Sequence, residues 1–377
     1  MARVHQLFRR VVDLGASDLH IAAGLQPRLR LAGLLQPVEG WSKLDAREIR
    51  RIMQEIVSEE QWQRFEETGD LDFAYSLEGL GRFRVNYFEQ EYGAAAVFRR
   101  IPDEILTLDQ LGLPKAVGDL ADLEIGLVLV TGPTGCGKST TLAAIVDRIN
   151  AGSSRHVLTI EDPVEFIHRE KRCAISQRQL GTDTESFSAA LKAAMRQDTD
   201  VILVGEMRDL ETIALAVTAA EMGVLVLGTL HTNSAAKTID RLIDVFPADQ
   251  QPSIRSSLSN SLVAVVAQIL IPTVDGTSRV AACEILLRTP GLGNVIREAN
   301  TPMIRSIIQS GRAQGMRSMD DALLELVRAG TITAREAHRR ALEKKSFERL
   351  LEQENASPTA PETEGPGAAP DDRPRET

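Results

Sequence analysis

Gly126-Leu-Val-Leu-Val-Thr131 leads directly into Gly132-Pro133-Thr134-Gly135-Cys136-Gly137-Lys138-Ser139, and Thr140 opens a helical-looking run that continues to Ile149. The loop fits the pattern G-x-x-x-x-G-K-[ST]. Its place between an apolar strand and a helix gives the pattern physical meaning. Gly132, Gly135 and Gly137 allow a backbone curl in which several N–H groups converge on phosphate oxygens, and the following helix adds its positive end. Lys138 is a flexible cation able to reach the β- and γ-phosphates. The Ser139 hydroxyl can ligate Mg²⁺. Gly132 through Thr140 is therefore the candidate ATP-binding segment. Cys136 reads either as a small side chain without chemistry, the preferred reading, or as a thiol activated by the helix N-terminus.

Outward from this loop, three more apolar strands follow: His156–Ile160, Val201–Val204 and Val224–Thr229, with helical patterns between them. Continuous Val/Ile/Leu strands alternating with helices predict a buried parallel sheet in an α/β domain. Ligands bind at the carboxyl ends of such strands, and here those ends read Glu161-Asp162-Pro163, Gly205-Glu206-Met207-Arg208 and Leu230-His231-Thr232. Glu206 stands where a Walker B acid stands. It would hold Mg²⁺, directly or through water, or orient the attacking water. Glu161 is the favoured general base, since that base must sit near an in-line water. His231 reads either as a γ-phosphate sensor or as a satisfied, partly buried histidine.

Residues 1 to 102 have another texture. Val4 to Leu14 has helical spacing and stops at Gly15; Asp45 to Glu67 reads as two polar-faced helices. The runs Leu19–Ala22, Arg28–Leu31, Leu71–Ser76, Arg82–Phe88 and Ala94–Arg99 read as strands. This predicts a smaller N-terminal α+β domain. Residues 103–121 read as a linker with a short helix. The ATPase-like domain is expected over 122–351, turning mostly helical after Gly276. The segment 352–377 has five prolines and seven acids against two arginines, which predicts a disordered acidic tail.

The 377 residues carry 43 Lys and Arg against 53 Asp and Glu, a net charge of −10. That balance argues against a dedicated nucleic-acid binder, although half of the excess lies in the tail. The three cysteines are far apart, with no C-x-x-C, so a zinc ribbon or a disulfide framework is not expected. The longest apolar run, Leu262 to Ile271, is too short to span a membrane and contains Gln268. The N-terminus lacks the apolar stretch of a signal peptide.

Taken together, GASDLHIAAGLQPRLR, GRFRVNYF, AVFRRIP, GLVLVTGPTGCGKSTTLAA, LTIEDPVEF, DVILVGEMRDLETIALAVTAAE, GTLHTNSAAKTIDRLIDVFPA and NVIRE resemble the secretion ATPases. Within them they most resemble the twitching-motility, PilT-like retraction ATPases of type IV pili. The resemblance implies a PAS-like N-terminal domain, a RecA-like P-loop ATPase domain, ATP and Mg²⁺ as ligands, and a ring of six copies. It also implies a cytoplasmic place at the inner membrane through a pilus platform protein, a paralogous retraction ATPase as a further partner, and no nucleic acid. By motif match, Arg84 and Arg99 are the arginines expected to contact phosphate. Glu161 and Asp162 fall in the acidic box, Glu206 in Walker B and His231 in the histidine box, with His20 given a structural role. Three positions depart from the pattern: Val224 where a second histidine is usual, Tyr92 where relatives often have arginine, and Gly293 where the late A-I-R-N-L-I-R-E signature has its first arginine. They motivate the alternative of an accessory nucleotide-binding subunit with little turnover of its own.

Overall fold

The computed structural model describes residues 3–31, 33–101 and 104–356. In the first part, α1 (Arg3–Asp13) precedes β1 (Asp18–Ala22), β2 (Arg28–Leu31) and β3 (Leu34–Pro37). Then come α2 (Ala46–Gln54), α3 (Glu59–Thr68), β4 (Asp70–Leu77), β5 (Gly81–Gln90) and β6 (Gly93–Ile101). The strands form one antiparallel sheet in the order β3-β2-β1-β6-β5-β4. Along β5, Phe83, Val85 and Tyr87 are buried and their neighbours are not, the alternation of a sheet with one covered face. That face receives Val4, Leu7, Phe8 and Val11 of α1, spaced for one helical stripe. Phe8 stacks on Phe83 with ring centroids 4.2 Å apart. Capping boxes at Asp45/Glu48 and Ser58/Gln61 fix where α2 and α3 begin.

The other face of this sheet is polar, and register decides which side chains meet on it. Arg30, Asp18, Arg99 and Arg84 are successive cross-strand partners on β2, β1, β6 and β5, so they form one row.

After α4 (Lys115–Gly118) comes the second part. It contains β7 (Gly126–Thr131), α5 (Lys138–Gly152), β8 (His156–Glu161), β9 (Ala174–Gln179), α6 (Phe187–Ala194), β10 (Val201–Val204), α7 (Leu210–Glu221) and β11 (Leu225–Leu230). It continues through α8 (Ala235–Asp244), α9 (Gln251–Ser261), β12 (Leu262–Pro272) and β13 (Arg279–Leu287). The sheet runs β13-β12-β7-β11-β10-β8-β9, parallel throughout except for β13, which pairs antiparallel with β12. All six residues of β7 and of β11 are buried, as helices on both faces require. Leu108, Leu113, Val117 and Leu120 of the expected linker pack into the core beneath α5.

Two sequence expectations need correction, and one apolar run finds its place. The chain does not turn helical directly after Gly276, because Arg279–Leu287 is the sheet-edge strand β13. Leu262 to Ile271, weighed only as a membrane segment, lies in β12 beside the phosphate-loop strand. The start of the expected disordered tail is helical: α10 (Pro290–Arg297), α11 (Ile304–Ser310), α12 (Met319–Arg328) and α13 (Ala334–Arg340) are followed by α14 (Lys345–Ala356). The rest of that tail lies outside the described residues. Among the described residues no helix is long and apolar enough to cross a membrane.

Candidate nucleotide site

Parallel register builds the site. Thr131 of β7 pairs with Leu230 of β11, and Val204 of β10 pairs with both Ile160 of β8 and Gly228 of β11. The residues that follow these pairs, the phosphate loop, Glu161, Glu206 and His231, therefore emerge along one sheet edge. A backbone bond from Gly205 N to Ile160 O (2.8 Å) and another from Met207 N to Thr229 O (3.1 Å) fasten the Glu206 turn between its neighbours.

The loop leaves β7 through Gly132 and enters α5 through Gly137, with φ of +146° and +87°, values that L side chains rarely adopt. A Cβ at Gly132 would lie 2.2 Å from the carbonyl oxygen of Gln268, so only glycine fits. Lys138 folds back over the loop, and its Nζ donates to Gly132 O (2.9 Å) and Pro133 O (3.2 Å). Ser139 is exposed and Thr140 half-buried at the first turn of α5. Cys136 is buried, and burial pushes its thiol above the ordinary range. This favours the space-filling reading over a reactive thiolate.

A cleft of about 520 Å³ is lined by Thr134, Glu206, Arg208, His231, Thr232 and Arg241, among others. One carboxylate oxygen of Glu206, Oε1, accepts from the Nε of Arg208 and lies 3.0 Å from His231 Nε2. His231 is exposed, with its Nε2 turned to Glu206.

Glu161 is half-buried at the end of β8. Its Oε1 accepts from Thr159 Oγ1 (2.7 Å) and Gln177 Nε2 (3.4 Å), and its Oε2 from Glu165 N (3.3 Å). Burial raises its pKa despite these donors, which makes it a stronger base than an ordinary carboxylate. Gln177 also donates to Phe166 O (2.8 Å) and accepts from His168 N (2.8 Å), which ties the 162–173 loop to this carboxylate.

The two arginines expected at phosphate are placed differently. Arg84 Nη1 lies 4.0 Å from Glu165 Oε1, across the junction between the two sheets. Nearby, Arg82 Nη2 donates to Gln179 Oε1 (3.4 Å). Arg99 Nε donates to Asp18 Oδ1 (2.8 Å), and Arg30 Nε lies 3.7 Å from the other oxygen of the same buried carboxylate. His20 faces the same polar row; burial lowers its pKa, and its buried Nε2 has no hydrogen-bond partner.

The donor set fits a nucleotide with a hard cation. Ser139 and Glu206 offer oxygen, and among the described residues no group of three or more His, Cys, Asp and Glu is arranged to hold a metal ion. Mg²⁺ normally takes one or two protein oxygens and completes its shell with phosphate and water.

Comparison with known proteins agrees. Residues 1–357 match the family described as Type II/IV secretion system protein. The chain belongs to that family. It is 49% identical over 327 residues to the type IV pilus retractation ATPase PilT of Pseudomonas aeruginosa, covering 87% of this chain and 94% of that protein. It is 48% identical over 321 residues to a twitching motility protein of Neisseria gonorrhoeae, covering 85% of this chain and 86% of that one. A crystal structure described as the pilus retraction motor PilT with bound ADP superposes with a TM-score of 0.86 at 41% identity, covering 93% of this chain and all of that one.

The three departures from the pattern can now be placed. Val224 packs against the core just before β11. Tyr92 is exposed at the turn between β5 and β6. Gly293 lies in α10, where an added Cβ would be 3.4 Å from Arg297 Nη1, whose guanidinium bonds Ser259 Oγ (2.9 Å). Arg208, Thr232, Arg241, Thr159 and Gln177 belong to the site and were not singled out from sequence. Arg208, two residues beyond Glu206, and Thr232, next to His231, stood in the quoted strand ends; the other three carried no signal.

Proposed function

We propose that this chain is the ATP-hydrolysing motor that drives type IV pilus retraction. The observation that carries the reading is the parallel register that brings the Lys138 loop, Glu161, Glu206 and His231 out at one sheet edge, in a chain 49% identical to PilT. Lys138 and the loop N–H groups hold the phosphates. Arg84 and Arg99 are the candidate further contacts from the first sheet. Ser139 and Glu206 would hold Mg²⁺, which when bound neutralises charge on the phosphates. Glu161 takes the proton of the attacking water, and His231, already beside Glu206, reports on the γ-phosphate position.

The proposed assembly is a closed ring of six copies, in which each interface is heterologous and one subunit's arginines can complete the neighbouring site. The proposed partners are an inner-membrane platform protein, which holds the ring at the cytoplasmic face, and a paralogous retraction ATPase. Purified Glu206→Gln and Glu161→Gln variants should bind ATP but hydrolyse it at least about 100-fold more slowly. Wild-type turnover in either variant removes the role assigned to that residue. Cells lacking the gene should be hyperpiliated and unable to twitch, whereas bald cells would refute retraction.

A further inference from the structure

Gln268 interrupts the apolar run of β12 and is only 3% exposed. A buried primary amide is costly unless its groups are bonded, and this one is bonded to the phosphate loop. Its Nε2 donates to Cys136 O (2.7 Å), and its Oε1 accepts from Thr141 Oγ1 (2.9 Å) in the first turn of α5. Its own backbone carbonyl is the wall that allows only glycine at 132. An added Cβ at Gly137 would stand 3.0 Å from its Nε2. One residue of the neighbouring strand therefore contacts the loop near both ends and the helix that leaves it.

The bond to Cys136 O has a directional consequence. The Cys136–Gly137 peptide is trans, and in a planar trans peptide the C=O and the N–H point in opposite directions. Drawing the Cys136 carbonyl toward the sheet turns the Gly137 N–H away from it, toward the hollow of the loop. If this peptide flipped, a carbonyl oxygen would replace an N–H donor where phosphate oxygens must bind. Glycine at 137 has little intrinsic resistance to such a flip.

We propose that Gln268 is a positioning residue for nucleotide binding, which holds the Cys136–Gly137 peptide so that its N–H faces the phosphates. This rests on the phosphate-loop reading given above. Lys138, Ser139 and Glu206 touch the ligand; Gln268 acts through the backbone that touches it.

The test uses the full chain and ADP without metal, read by calorimetry or fluorescent ADP binding, with circular dichroism confirming the folded state. Gln268→Met keeps the side chain's length but has no donor. It should weaken ADP binding at least about tenfold. Gln268→Glu supplies a second readout: as a neutral acid it can donate to Cys136 O, and as a carboxylate it repels that oxygen. Its ADP affinity should stay within about threefold of wild type at pH 5.5 and fall at least about tenfold further than the wild type's by pH 8.5. A residue that only filled space would lower thermal stability without this pH-dependent loss of affinity. ADP affinity within threefold of wild type for folded Gln268→Met overturns the proposal, and so does wild-type affinity of folded Gln268→Glu at pH 8.5 with its carboxyl ionised, as read by infrared spectroscopy. Absence of ADP binding by the wild-type chain would instead refute the phosphate-loop reading itself.

Discussion

His168 gives a pH dependence whose size can be worked out. It is 6% exposed in the loop that follows Glu161, and its Nδ1 has no partner. Burial lowers its pKa from 6.5 to about 4, Asp147 acting weakly the other way and Lys171 adding to the depression. Above pH 6.5 the imidazole is neutral in both the folded and the unfolded chain and contributes nothing to the slope. Between pH 6.5 and 4 the unfolded chain takes up a proton that the folded chain refuses, so stability falls as pH falls; below 4 the loss saturates. With those two pKa values the loss is about 2 kcal/mol at pH 5 and about 3 kcal/mol at pH 4. Urea unfolding of wild type and His168→Gln, followed by circular dichroism from pH 7.5 to 4.5, isolates this contribution from the carboxylates, which titrate in both proteins. The wild type should lose about 2 kcal/mol more than the variant between pH 7.5 and 5. Because His168 N donates to Gln177, which braces Glu161, wild-type hydrolysis should also decline more steeply over this range. Parallel stability profiles in the two proteins would show that His168 is already charged or solvated in the folded state, and the reasoning would fail.

Three further outcomes concern carboxylates. Glu161→Gln should melt at a higher temperature than wild type at pH 7.5 and show a smaller advantage at pH 5. Burial raises the Glu161 pKa, so its charged form is the costly one and the penalty grows as pH rises; calorimetry at the two pH values checks it. Glu284 is buried on β13, accepts from Ala235 N (2.8 Å) and from the backbone of Met319, and so satisfies the first turns of α8 and α12. Glu284→Leu should cost about 2–4 kcal/mol and Glu284→Gln far less, as measured by urea midpoints. Asp18 is held below its ordinary pKa because the hydrogen bonds from Arg99 and Ser17 outweigh the opposing effect of burial. Asp18→Asn should therefore lose about 1–3 kcal/mol at pH 7, a difference from wild type that shrinks as pH falls below about 4.

What could be read from sequence was what is local in the chain. A strand, a glycine loop and a helix in succession need no partner to be recognised, and the strand-end residues Glu161, Glu206 and His231 were found because parallel strands deliver their ends to one edge. What escaped depends on pairing. β9 reads Ala-Ile-Ser-Gln-Arg-Gln, with no apolar run, and is a strand because β8 offers it an edge. With β9 unseen, Gln177 could not be placed opposite Thr159, where both bond to Glu161. β13 mixes Ala, Cys and Glu among its aliphatics, and its polar Glu284 is buried only because helix N-termini meet it there. Gln268 was visible as a blemish in an apolar run, but the sequence does not say which loop it bonds.

The cations around the site are not equally available to a phosphate, and the difference lies in what holds each one now. Lys138 rests on two neutral carbonyls, so exchanging them for phosphate oxygens gains a charge–charge interaction. Arg208 shares Glu206 with His231, and it is largely exposed, so water can take its place at little cost. Arg99 is bound to a carboxylate that is itself buried, and among the described residues the only other arginine or lysine paired with it, Arg30, stands at 3.7 Å. Withdrawing Arg99 would leave Asp18 underpaired in a poorly solvated place, which costs far more than breaking a surface pair. Arg84 meets Glu165 at 4.0 Å, with both side chains more than a third exposed, and that contact holds it weakly. Of the two arginines that the sequence motifs nominate, Arg84 is held the more weakly. Arg99 and Arg30 bracket the buried Asp18 carboxylate within the row Arg30–Asp18–Arg99–Arg84, while Arg84 turns to Glu165 outside it.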